Sequence, residues 1–148
     1  MGLMYAPHTV TVVNAYDNAG TMVYQETVLP GVFLDVRHSA LAAALGASNA
    51  DSVELYIPMD INAQSAAGNA RSYVSPKEFR AAADKTPYWT LEAADGNSAS
   101  PCFFIRGKAQ GMSYKNARKA NDDVFNVTSV LTRDFGSRDM WHWQVGGR

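Results

Sequence analysis

From His8 to Val145 the chain returns repeatedly to short runs of β-branched and aromatic residues, each closed within a few positions by glycine, proline or asparagine. This rhythm is the feature that most constrains the fold, because closely spaced short strands with turn signals between them build barrels and sandwiches. His8–Asn14 reads HTVTVVN, in which Thr9, Thr11 and Val13 alternate with Val10 and Val12. Thr21–Leu29 follows the turn Tyr16–Gly20, so residues 8–29 predict a hairpin. Pro30–Gly31 interrupts the run and marks an edge, bend or bulge, since proline cannot donate to a ladder; Val32–Arg37 then resumes it. Ser52–Ile57 sets Val53, Leu55 and Ile57 against Ser52, Glu54 and Tyr56, and Pro58 ends it. Tyr88–Glu92, Cys102–Lys108, Val124–Phe135 and Trp141–Val145 complete the set, with Trp141, Trp143 and Val145 on one face of the last strand. The palette agrees: 13 valines stand against 8 leucines and 3 isoleucines.

The intervening segments differ. Ser75-Pro76-Lys77-Glu78 supplies a cap serine, a proline at the first helical position and an acid at the third, predicting a brief helix to about Ala83. Ser39–Ala50 (SALAAALGASNA) is too short for an independent helix and reads as a mobile loop or short helix ordered against a neighbour. Met59–Arg71 and Ala109–Asp123 read as long polar loops, and Asp95–Ser100 as a turn. The expectation is one mainly β domain over residues 1–148, a small β-barrel or sandwich of about seven or eight short strands with one short helix and long loops.

Charge narrows the function. Thirteen Lys and Arg against 14 Asp and Glu give a net charge of −1, which disfavours a free-standing basic nucleic-acid domain. Charged residues make up 18% of the chain, below the roughly 25% of ordinary soluble domains, as expected of a surface that other chains cover. No apolar stretch approaches the ~20 residues of a membrane span, and no signal peptide is recognisable in the first residues.

Chemistry-bearing motifs are lacking. There is no P-loop, dinucleotide fingerprint, zincin motif or nucleophile elbow, so no catalytic, cofactor-binding or metal site is expected. Cys102 sits in an apolar run and reads as a small buried hydrophobe rather than a reactive thiol. His8, His38 and His142 are too dispersed to read as a metal site. Asp51, Glu54, Asp60, Asp122 and Asp123 read as solvated acids, and the sequon Asn126-Val127-Thr128 as accidental within a strand. The one local charge feature is Lys108, Lys115, Arg118 and Lys119, four cations with no acid among them before Asp122, which could meet phosphates without reading sequence. Met140, Trp141 and Trp143 suit either core or a partner-facing anchor, and Leu41 and Leu45 are further candidates for a subunit interface.

Several stretches resemble a family of small structural proteins from tailed bacteriophages, those of head–tail connection. They are Leu29-Pro30-Gly31-Val32-Phe33, Asp51-Ser52-Val53-Glu54-Leu55-Tyr56-Ile57-Pro58 and Tyr73-Val74-Ser75-Pro76-Lys77-Glu78-Phe79. The ending adds Val127-Thr128-Ser129-Val130, Arg133-Asp134-Phe135-Gly136-Ser137 and His142-Trp143-Gln144-Val145-Gly146-Gly147-Arg148. The resemblance implies a head-completion or stopper-like protein of the neck. Such a protein would be a β-barrel repeated about six or twelve times in a closed ring, with portal and adaptor proteins above and a tail terminator or tail tube below. It implies a virion location at the head–tail junction, reached from the host cytoplasm, retention of packaged DNA, no enzymatic activity and no cofactor. On that reading Met59–Arg71 or Ala109–Asp123 lines the channel, with Lys115, Arg118 and Lys119 near DNA. A tail terminator or other tail-side or minor capsid protein is the alternative. A ligand-binding barrel and an enzyme with dispersed residues are readings from other classes.

Overall fold

At Pro30–Gly31 the chain keeps its strand but changes its partner, and this corner explains how the sheet closes. Across it the register slips by one residue, from Thr9 opposite Pro30 to His8 opposite Val32. The extra residue is Gly31, at φ 86°, a conformation that glycine adopts without steric cost. What reads in sequence as two runs is therefore a single strand with a bulge. The computed structural model describes residues 6–38, 51–93 and 101–148. The expected loop or helix at Ser39–Ala50 and the whole of the turn at Asp95–Ser100 lie outside those residues.

The strands are β1 (His8–Asn18), β2 (Thr21–His38), β3 (Asp51–Pro58), β4 (Ser72–Tyr73), β5 (Tyr88–Trp89), β6 (Cys102–Arg106), β7 (Val124–Arg133) and β8 (His142–Gly147). Six of them close a barrel in the cyclic order β1-β2-β3-β8-β7-β6, every pair antiparallel. β2 pairs with β1 as far as Val32, just past the bulge, and with β3 from Phe33. β7 repeats the device: it pairs with β6 over Val124–Asn126 and with β8 from Val127, and its register shifts between Val127 and Ser129. The expectation of a small, mainly β barrel holds.

Alternation sorts the side chains into two cores. Val10, Val12, Leu55, Ile57, Phe104, Val127 and Val145 fill the barrel. Val13, Phe103 and Ile105 belong to a second, smaller cluster on the outer wall. A strand covered on both faces reads as a continuous apolar run, which is why Cys102–Ile105 carries no polar residue. Its outer cover comes from Ala109, Met112 and a helix in the segment expected to be loop, α2 (Tyr114–Ala120), which buries Ala117 and sets Tyr114 edge-on to Phe103. Ser113 caps it, its Oγ accepting from the Asn116 amide at 3.3 Å. Among the described residues there are thus two short helices where one was expected, and a 3-10 turn at Arg138–Met140. The other helix, α1 (Pro76–Ala81), begins at the Ser75 cap and Pro76 as the sequence indicates.

The segment between β3 and β6 caps one barrel end. Gln64 exchanges backbone hydrogen bonds with Val28, covering the part of β2 that β3 does not reach. Asn14 Nδ2 donates to the Thr90 carbonyl and Asn14 Oδ1 accepts from the Thr90 amide. Gln25, its cross-strand partner, donates to the Lys85 and Tyr88 carbonyls. This clamp shortens the expected strand at Tyr88–Glu92 to Tyr88–Trp89, because the Thr90 backbone bonds a side chain instead of a neighbouring strand. Opposite, β8 packs closely: a Cβ on Gly147 would lie 2.8 Å from Val53 Cγ1 and 3.0 Å from the Asn126 carbonyl oxygen. Gly147→Ala is expected to destabilise the fold by about 1–3 kcal/mol, read as an earlier urea midpoint at unchanged slope.

Candidate functional site

The barrel interior is occupied by its own side chains. Trp89 stands edge-on to Trp143 at 5.7 Å, and Tyr73 lies 4.4 Å from Trp143, so aromatic rings join the cap to the wall. Cys102 is fully buried among them and is not in a disulfide. Burial pushes its thiol up to about 12 from an ordinary 9.0, where a thiol is a poor nucleophile at neutral pH. The folded state thus holds a proton that the unfolded chain gives up near pH 9. The thiol's contribution to stability is complete below that value and is lost as pH rises from about 9 toward 12. Urea unfolding is expected to show a steeper alkaline loss than in Cys102→Ala, by roughly 1.4 kcal/mol per pH unit in that window.

Three of the other candidate polar groups serve the structure, while the side chains of His38 and Asp51 lie outside the described ones. His8 Nδ1 accepts from the Leu34 amide, His142 packs on Tyr56, and Asp123 pairs with Arg106 at 3.5 Å. Among the described residues no three His, Cys, Asp or Glu are grouped so as to hold a metal ion, and no helix is long and apolar enough to cross a membrane. A 350 Å³ cleft lies beside the cap, lined by Tyr16, Asp17, Arg80, Lys85 and Glu92 among others. Its charges are mixed, Arg80 pairs with Glu92, and Lys85 lies over the Tyr16 ring.

The distinctive chemistry is on the outside. Lys115, Arg118 and Lys119, expected as loop cations, stand together on the exposed side of α2. Arg118 stacks on Tyr114 and donates to its hydroxyl at 3.2 Å. Lys108 is apart from them, past Gly107, in a shallow groove with Val28, Pro30 and Gln64. Among the described residues none of these four cations is in an ion pair. Their positive charge is therefore available to an anionic partner.

The candidate interface residues separate. Trp143 is 7% exposed and belongs to the core. Trp141 is half-buried; its Nε1 donates to the Gly136 carbonyl and the Arg138 guanidinium lies over its ring. Met140 is 46% exposed, and Leu131 and Phe135 join it at 45% and 68% on the same β7–β8 hairpin. Met22, at the β1–β2 turn, is 50% exposed. Leu41 and Leu45 lie outside the described residues. Sequence reading missed Met22, Leu131 and Phe135. The available signal was Phe135 itself, a large apolar residue between an acid and a glycine, where no strand can bury it.

A family model, described as a family of unknown function (DUF6751), matches residues 5–148. No curated protein and no solved structure matches the chain.

Proposed function

Since the chain belongs to the DUF6751 family of unknown function, which transfers no activity to it, we propose its role from the resemblance of its segments to head–tail connection proteins together with its exposed surface: a structural virion protein of a tailed phage. In this reading identical copies form a closed ring in the head–tail connector, joining portal and adaptor proteins to the tail terminator or tail tube. One observation carries it. The barrel interior is filled, while large apolar side chains are exposed on two hairpins, above all Leu131, Phe135 and Met140. Apolar surface outside and none free inside suits a protein that binds other chains rather than a small ligand.

Two features support the reading. The 18% charged fraction fits a surface covered on several sides. The unpaired cations of α2 offer DNA a sequence-independent contact, of use in retaining a packaged genome. The role is architectural, with no catalytic group and no cofactor. The test is a density map of the intact virion whose genome encodes the chain. Density matching the barrel, repeated around the axis between portal and tail, is expected. Density at the tail's far end or on the capsid faces overturns the assignment to the neck.

A further inference from the structure

A ring needs two different, complementary patches on each subunit, and the topology supplies them. β6 is antiparallel to both β1 and β7, so β1 and β7 run the same way and their hairpin turns lie at the same barrel end. In the cyclic order β1-β2-β3-β8-β7-β6, the β1–β2 hairpin is separated from the β8–β7 hairpin by one strand on either side. The two hairpins therefore occupy opposite walls. They also carry every large, exposed apolar residue among the described residues: Met22 on one, and Leu131, Phe135 and Met140 on or beside the other.

We infer that the β1–β2 turn of one copy docks on the β7–β8 hairpin of the next, a side-to-side heterologous contact that builds the ring. The inference rests on the ring reading above and deepens it by naming the contact. Patches on opposite walls at one height let a rotation about an axis parallel to the barrel bring copies together without a rise along it, and the repeat closes when the two patches are angled toward that axis.

The occupant is a second copy: the turn bears a single charge, and the hairpin of another copy offers it a counter-ion. Asp17 is the Cα partner of Met22 and the only charged residue between Val10 and Tyr24. It is exposed and makes no ion pair among the described residues. Two β1–β2 turns placed together would set Asp17 against Asp17. The β7–β8 hairpin carries Arg133 and Arg138 alongside Asp134 and Asp139, a neutral set in which Arg138 is open to Asp17 while Phe135 and Met140 meet Met22. The strand edge adds to this: beyond Asn126, β7 has a described strand, β8, on one side alone.

Disulfide trapping tests the contact, with the buried Cys102 as a silent background. Met22→Cys and Phe135→Cys are made singly and together, and wild-type assembly is followed by native mass spectrometry. Under mild oxidation each single variant is expected to stay uncrosslinked. The mixed singles should give dimers, and the double variant a ladder that ends at the ring size of the wild type. Dimers from Phe135→Cys alone would mean a two-fold contact and overturn the inference. A wild-type ring with no ladder in the double variant overturns the inference and leaves the ring reading standing. A wild type that stays monomeric at every concentration, with no ladder, overturns both.

Discussion

Replacing Trp143 by alanine is expected to remove about 3–5 kcal/mol of folding stability, a large part of the ~5–15 kcal/mol that domains possess. The reason is position as much as size. Trp143 sits on β8 opposite Ile57 of β3 and Thr132 of β7, and its ring touches Tyr73 and Trp89 of the cap. It is the piece that joins the barrel wall to the segment closing the barrel's end. Truncation leaves a cavity between two aromatic rings that are themselves held, Trp89 by the neighbouring Asn14–Thr90 clamp and Tyr73 by pairing with Trp89. The site cannot collapse, so the cost falls at the upper end of the range. A melting-temperature fall of roughly 10–15 °C should follow, most of it recovered in Trp143→Phe. Trp141→Ala is the control: its ring is half-buried against Arg138, and its loss should cost under about 1 kcal/mol. Equal losses at the two tryptophans would show that the cap does not depend on the aromatic contact.

The same residues show what the sequence could and could not disclose. Strand alternation is a local signal, and it located Val53, Leu55, Ile57, Trp143 and Val145 on the core face, whereas Trp141, read as sharing that face, lies before β8 and is only half-buried. Pro30–Gly31 marked an irregularity, but whether it ends a strand or bends it depends on whether a second partner is waiting, and β3 arrives from far along the chain. Helix α2 was illegible for a related reason. Its seven residues bury one alanine, so they have no apolar periodicity of their own, and what holds them is the outward face of Phe103 and Ile105. The unbroken apolar run Cys102–Ile105 was the sign that something must cover that face. The cations were legible as a cluster because they share one short segment. The placing of Met22 and Phe135 on opposite walls was not, since it exists only once six strands have closed.

Closure also fixes what the α2 cations can reach, and from this the largest functional effect follows. If the β1–β2 and β7–β8 walls meet neighbouring copies, the β3 and β6 walls are left to face along the ring's radius. Helix α2 lies on the β6 side, over Phe103, Ile105, Val13 and Val124. With that side toward the channel, every copy adds Lys115, Arg118 and Lys119 to a lining of unpaired positive charge. Each phosphate contact contributes a salt slope of about 0.9, roughly eightfold in affinity between 1 M and 0.1 M salt, so three contacts amount to a few hundredfold. The triple variant Lys115→Gln, Arg118→Gln, Lys119→Gln is therefore expected to bind double-stranded DNA a few hundredfold more weakly at 0.1 M salt for each subunit engaged. Its salt slope should fall by about 0.9 per lost contact, with no preference among sequences. Folding stability should hardly change, because the three side chains are exposed and unpaired, apart from Arg118 against Tyr114. Lys108, held apart near Pro30 and Gln64, is expected to contribute less when replaced alone. An unaltered salt slope in the triple variant, with the ring intact, would turn the β6 wall outward and leave the channel to the β3 side.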